Sequence, residues 1–220
     1  MRKRNVYKDI VFFVLTCFSI IQSVNLVNFW MQQQKSYNLV LQSESELSEA
    51  IVKEMEKITG LYQFTPTCSC NLSFKLEEYT MDNGLTGIEL DDYPLQWKSL
   101  QEKTVLGNTL ILFLGKDVFA SFVDSNGNSP GRSQTAEWIE RYQELELAVT
   151  DQKGQTWTGK ISGILKKPAE GIYMDMGQMQ EIFQKSAKTT GGLAKIQGHQ
   201  NMKQAQEILS AAGFASELIE

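Results

Sequence analysis

The sequence predicts an α+β domain, a mixed or antiparallel sheet with helices packed on it, behind a single N-terminal transmembrane helix. Three observations carry that expectation. A charge-free apolar run follows a basic tip. Beyond it, short β-type runs alternate with segments of helical period. Turn residues separate those runs at hairpin spacing.

The apolar run is Ile10 to Trp30, 21 residues without a charge. As a helix it is roughly 32 Å long, close to the hydrocarbon thickness of a bilayer. Arg2, Lys3, Arg4 and Lys8 against Asp9 make residues 1–30 basic, which predicts a cytoplasmic N-terminus and an extracytoplasmic remainder. Tyr7 and Trp30 stand where interfacial aromatics belong. The run lacks the small-x-small site of a cleaved signal peptide, and Val14-Leu15-Thr16 before Cys17 does not fit a lipid-attachment pattern. The outer third carries Gln22, Asn25 and Asn28, three apart and hence on one side of a helix. Two readings stay open: a wet outer end of the anchor, or an amide face packed on other membrane helices.

Residues 31–42 are Gln-rich and read as a helix continuation or stalk, and 43–220 as the outer domain. Ser43 to Ile58 reads as an amphipathic helix, capped by Ser43 with Glu46 and striped with Leu47, Ile51, Val52, Met55 and Ile58. In that reading Glu49 supports Lys53 one turn on, and Gly60 stops the helix. Tyr62–Thr67, Leu72–Tyr79 and Thr86–Leu90 read as strands, with Asp82-Asn83-Gly84 as the turn between the last two.

Thr109–Leu114 reads as a buried strand leading into a short helix over Asp117–Phe122. Lys116 and Asp117 argue against a second membrane span there. Residues 124–133 are turn-rich, a candidate hinge or insertion point. Leu145–Thr150, a turn at Asp151–Gly154, and Thr156–Leu165 follow as strand, turn and strand. Gly171–Met174 and Leu193–Gln197 are further strands, with helices at Gly177–Gln184 and Asn201–Ala212, the latter stopped by Gly213.

Charge narrows the function classes. The net charge is −5, and because residues 1–30 are basic, the remainder is strongly acidic. Nucleic acid needs clustered Lys and Arg, so it is excluded as a partner. No catalytic constellation is legible. The single histidine, His199, lies in a polar Gly-His-Gln-Asn stretch and reads as solvated. Asp91-Asp92 reads as a turn start, and Gly191-Gly192 lacks the residues of a phosphate loop. Cys68 and Cys70 are the one unusual local pair. They read as structural cysteines, as a candidate local disulfide, or as a redox or metal pair that lacks further ligands. Asn71-Leu72-Ser73 is a glycosylation sequon that matters only in a eukaryote. No metal or cofactor is expected, and the chain does not read as an enzyme.

Five stretches, in this order behind the anchor, carry a family resemblance. They are Ile58-Thr59-Gly60-Leu61, Gly84-Leu85-Thr86-Gly87-Ile88-Glu89, Leu114-Gly115-Lys116-Asp117-Val118-Phe119-Ala120, Gly154 through Leu165, and Gly171-Ile172-Tyr173-Met174. Over most of residues 8–190 the chain resembles the extracytoplasmic core domain of MacB-like ABC transporter permeases. The resemblance implies a bacterial cell-membrane protein whose outer domain relays conformational change or docks partners during export, beside ABC ATPase or permease subunits. Such permeases carry three further membrane helices and work with an ATPase. This chain shows neither those helices nor a Walker A lysine motif, so it is expected to act with partners, as a split or truncated permease or as a stand-alone relative. The alternative reading is a single-pass, membrane-anchored ligand-binding or sensor protein. A thiol-dependent enzyme using Cys68 and Cys70 is the third.

Overall fold

In the computed structural model, which describes residues 6–43, 45–98, 108–183 and 187–219, one long strand organises the domain that follows the N-terminal helix. This strand, β2 (Leu61–Leu76), is 16 residues long, enough to serve two lobes. Before it come the apolar helix α1 (Val6–Gln34), β1 (Ser36–Gln42) and α2 (Glu49–Met55). After it come β3 (Tyr79–Ile88), β4 (Leu95–Lys98), β5 (Thr109–Gly115), α3 (Arg132–Glu140), β6 (Glu146–Thr150) and β7 (Thr156–Leu165). The chain continues through β8 (Ile172–Asp175), α4 (Met176–Phe183), β9 (Lys188–Gln197), α5 (His199–Ala211) and β10 (Ala215–Ile219).

The second half of β2 belongs to a closed ring. It pairs with β3 through Cys68–Leu76 and with β6 through Ser73–Lys75. From β3 the pairing runs to β8, β5 and β7, and β7 pairs with β6, which returns to β2. Two of these pairs, β3–β8 and β5–β7, are parallel, so the sheet is mixed. Alternation fills the ring: Leu72, Phe74 and Leu76 of β2 face Leu110, Leu112 and Leu114 of β5 in one core. Met179 and Phe183 of α4 join that core. Trp138 of α3 is fully buried among Tyr79, Phe119 and Phe122.

The first half of β2 belongs to a second lobe. It pairs with β9, which pairs with β1, which pairs with β10, all antiparallel. Tyr37, Leu39 and Leu41 of β1 face one side, where α2 and α5 cover them with Met55, Met202, Ala205 and Leu209. Val40, Leu193 and Ile219 face the other side and pack on Ile88, Phe113, Leu165 and Tyr173 of the ring. That third core is the seam between the lobes. Lys195 on β9 also bridges to Asp92 at 2.6 Å, with each side chain 21% exposed.

The α+β expectation, with a mixed sheet and helices on it, agrees with this architecture. Several local expectations do not. Residues 31–42 divide: the helix ends at Gln34, and Ser36–Gln42 form a central strand instead of a stalk. The amphipathic helix is shorter than Ser43–Ile58. Its N-cap is Ser48, whose side chain accepts from the Ile51 N–H at 3.4 Å. Of the expected stripe, Leu47 and Met55 are buried and Ile51 is exposed. Glu44 lies outside the described residues.

Asp82-Asn83-Gly84 does not turn. It lies within β3, and the hairpin turns at Glu77–Glu78, with Leu76 opposite Tyr79 and Glu77 at φ 54°. Tyr62–Thr67 and Leu72–Leu76 are parts of one strand, β2, while Tyr79 opens β3. Helix α3 and strand β10 had no counterpart in the sequence reading. By contrast, β5 is followed by a short 3-10 turn over Val118–Ser121, as expected. The Asp151–Gly154 turn also forms, with the Asp151 carboxylate accepting from the Lys153 and Gln155 N–H groups at 2.9 and 2.8 Å. Residues 124–131 form a loop closed by Asp124, which accepts from the Asn126 and Asn128 N–H groups at 2.8 and 2.9 Å.

Candidate coupling junction and interlobe cleft

Phe13–Gln34 of α1, 22 residues, is long and apolar enough to cross a membrane. None of its most apolar stretch is buried against the rest of the chain. Phe13, Leu15, Phe18, Leu26 and Trp30 are all exposed. Gln22, Asn25 and Asn28 are exposed too, and they fall within roughly a third of the helix circumference. Cys17 is half-buried.

Below this helix only Lys35 separates α1 from β1. The Lys35 carbonyl accepts from the Gly198 N–H at 2.9 Å, which joins the helix foot to the turn before α5. Gly198 sits at φ 92°, and a Cβ there would stand 2.7 Å from Gln33 Oε1. Gly60, at φ 83°, closes the neighbouring turn by accepting from the Gln197 N–H at 2.9 Å. The Lys35 ammonium lies 5.3 Å from the Tyr37 ring centroid, and the Tyr37 ring packs on His199 at 5.7 Å. His199 thus opens α5 as a half-buried packing residue, in place of the solvated loop residue its sequence context suggested.

The remaining sequence candidates are scattered. Cys68 and Cys70 lie on the extended β2, and both thiols are free. Cys68 is half-buried, 3.8 Å from Thr189 Oγ1. Cys70 is buried in the ring core; burial, and then the Asp151 charge, push its thiol up to about 12. A thiol held protonated in this way is a poor nucleophile. Asp91 and Asp92 belong to the short 3-10 turn Leu90–Asp92. Among the described residues no group of three or more His, Cys, Asp or Glu side chains is placed to hold a metal.

Sequence reading missed a polar cavity of about 490 Å³ in the seam between the lobes. Glu217 from β10 and Glu170 from the loop before β8 line it, with Ser69, Thr86, Thr190 and Tyr93. Tyr93 is buried, and its hydroxyl has no hydrogen-bond partner among the described residues. Burial, and then the Asp92 charge, raise its pKa. Tyr173 also lines the cavity and donates its hydroxyl to the Glu170 carbonyl. Its pKa is raised by burial first, then by Tyr93, Glu217 and Glu170. No local sequence signal marks this site, because its residues come from five strands and two loops.

No family model matches the chain. No curated protein matches it either. Among solved structures it is similar to the extracellular domain of the noncanonic ABC-type transporter YknZ from Gram-positive bacteria. That likeness has 11% identity and a TM-score of 0.37, and covers 83% of this chain and 100% of that one. It is also similar to the periplasmic region of MacB from Actinobacillus actinomycetemcomitans, at 12% identity and a TM-score of 0.38. Here 82% of this chain and 87% of that one are covered.

Proposed function

We propose that the chain is a non-catalytic extracytoplasmic domain of a membrane complex of the MacB-like ABC permease type, relaying conformational change or docking partners during export. The observation that carries this reading is the junction at Lys35. A helix able to span a bilayer passes, through one residue, into a strand hydrogen-bonded on both edges. A displacement of α1 therefore acts directly on the β1 lobe and, across the seam, on the ring. The order of sequence stretches behind the anchor supports the choice of family. The amide face of Gln22, Asn25 and Asn28 gives α1 groups with which to hold neighbouring membrane helices. In this reading the N-terminus is cytoplasmic.

The test is affinity capture of the full chain from native membranes. Recovery of an ABC ATPase or permease subunit is expected, and recovery of neither sinks the transporter role. A four-glycine insertion between Gln34 and Ser36 is expected to keep the fold and the partner while abolishing export.

A second reading, a membrane-anchored ligand-binding or sensor protein, is favoured by the polar cleft between the lobes.

A further inference from the structure

Outside α1, the large apolar side chains exposed among the described residues are Ile51, Tyr62 and Ile208, and Tyr62 is the most exposed of them at 57%. The backbone sets this exposure. Strand β2 pairs Leu61 with Ile196 and Gln63 with Lys195 of β9, so Tyr62 is the extra residue of a bulge, with no partner in that ladder. A bulge re-aims a side chain, and this one comes directly after the turn at Gly60.

The bulge lies at the end of the sheet that meets α1. Ser36, which opens β1, is level with Gln197, while Tyr37 is level with Ile196 and, through it, with Leu61. Three strand ends thus form one row beside the helix foot. Tyr62 stands two strands over from β1, roughly 10 Å along that row. Its depth follows from α1. The apolar run ends at Trp30, a residue type of the membrane interface, and Lys35 comes five residues on, about 7.5 Å further at helical rise. A headgroup layer is about 5–7 Å thick, half the difference between a whole bilayer and its hydrocarbon core. With Trp30 at the edge of the hydrocarbon, the row of strand ends stands at the outer side of the headgroups.

We infer that Tyr62 is a second membrane contact of this chain, its ring lying among the lipid headgroups of the bilayer that α1 crosses. Lipid is the occupant because the chain leaves no room to stand off: Lys35 alone separates α1 from β1. Tyrosine suits the place, since its apolar ring and polar hydroxyl divide between lipid and water. The contact needs no charged lipid, because burial of the ring drives it. Held by α1 alone, the domain is free to turn about the helix axis. A second, off-axis contact fixes its tilt and so sets the direction in which a moving helix tips the β1 lobe. The inference rests on the reading of α1 as a membrane-spanning helix and adds to it the face that the domain turns to the bilayer.

Tryptophan quenching tests it, with the full chain reconstituted in vesicles of phosphatidylcholine brominated near the top of the acyl chains. Wild type and Trp30→Phe are compared first: quenching present in the one and absent in the other places α1 in the bilayer. The Trp30→Phe chain then carries either Tyr62→Trp, which keeps an aromatic ring at the bulge, or Glu78→Trp, on the exposed turn at the other end of the 16-residue β2. Both sites are exposed, so the fold should tolerate either change. The emission added by Tyr62→Trp should be lost in brominated vesicles and kept in unbrominated ones. That added by Glu78→Trp should be kept in both. Emission at position 62 that survives bromination while Trp30 is quenched overturns the proposal, leaves the anchor reading standing and frees Tyr62 for a protein partner. Equal quenching at both positions also overturns it, as general adsorption of the domain. An unquenched Trp30 removes the anchor reading, and the proposal with it.

Discussion

Gly198 donates its backbone N–H to the Lys35 carbonyl at 2.9 Å, and so ties the turn before α5 to the single residue between anchor and sheet. The bond closes a small frame. Gln33 lies against Gly198, Asn201 donates to the Gln197 carbonyl at 2.8 Å, and Gly60 accepts from the Gln197 N–H. The helix foot is thereby held by β1 and by the β9–α5 turn, and that turn is tied in its own right to the turn that opens β2.

Gly198→Ala should loosen this frame. Its φ of 92° is costly for a residue with a Cβ, and that Cβ would press on Gln33. A loss of about 1–2 kcal/mol is expected in denaturant unfolding of the full chain in micelles. An unchanged midpoint would mean that the junction relaxes freely and transmits little.

Asp92 and Lys195 should couple across the seam. Their 2.6 Å pair is only partly exposed, so a double-mutant cycle with Asp92→Asn and Lys195→Met should return about 1 kcal/mol of interaction. The coupling should shrink as salt is raised. A zero coupling energy at low salt would show that the seam is held by its apolar residues alone.

Tyr93→Phe should stabilise the unliganded chain. The hydroxyl it deletes is buried and has no partner among the described residues, so its removal should raise unfolding stability by about 1–2 kcal/mol without changing the denaturant slope. A lower midpoint would show that the hydroxyl has a partner in solution.

Cys70 gives a pH signature. Its thiol is raised from 9.0 to about 12 in the folded state, so the folded chain holds that proton more tightly than the unfolded one. The associated stability is fully present below pH 9.0 and is lost as pH rises toward about 12. Compared with Cys70→Ala, the wild type should therefore lose stability more steeply above pH 9.0. Parallel pH curves for the two proteins would rule this out. A thiol reagent at neutral pH should modify Cys68 well before Cys70 in the native chain.

What the sequence carries most clearly is local. The apolar N-terminal helix follows from its run of charge-free residues, whose length and composition are enough to cross a membrane. The Asp151–Gly154 turn and the Asp117 break after β5 are likewise written in neighbouring residues whose side chains or backbone freedom act within a few positions. The two cysteines were legible as a pair, but their environment was not, since Asp151 and the ring core reach Cys70 only through folding.

Tertiary structure decided the rest, and the reason is the range of the contacts. Ser36–Gln42 becomes a strand because Leu39 finds Ala194 on one side and Leu218 on the other, partners far along the chain. Asp82-Asn83-Gly84 has the composition of a turn, yet Leu72, Phe74 and Leu76 must all point into the ring. That register carries β3 straight through those residues and moves the turn to Glu77–Glu78. The cleft exists only once β10 has joined β1 and the ring has closed beside it, which brings Glu217 and Glu170 to one cavity. By itself the sequence determined that this chain has one apolar helix suited to a membrane and an acidic α+β domain behind it. How that helix joins the domain, and which side chains line the cleft, are set by pairings that no local propensity encodes.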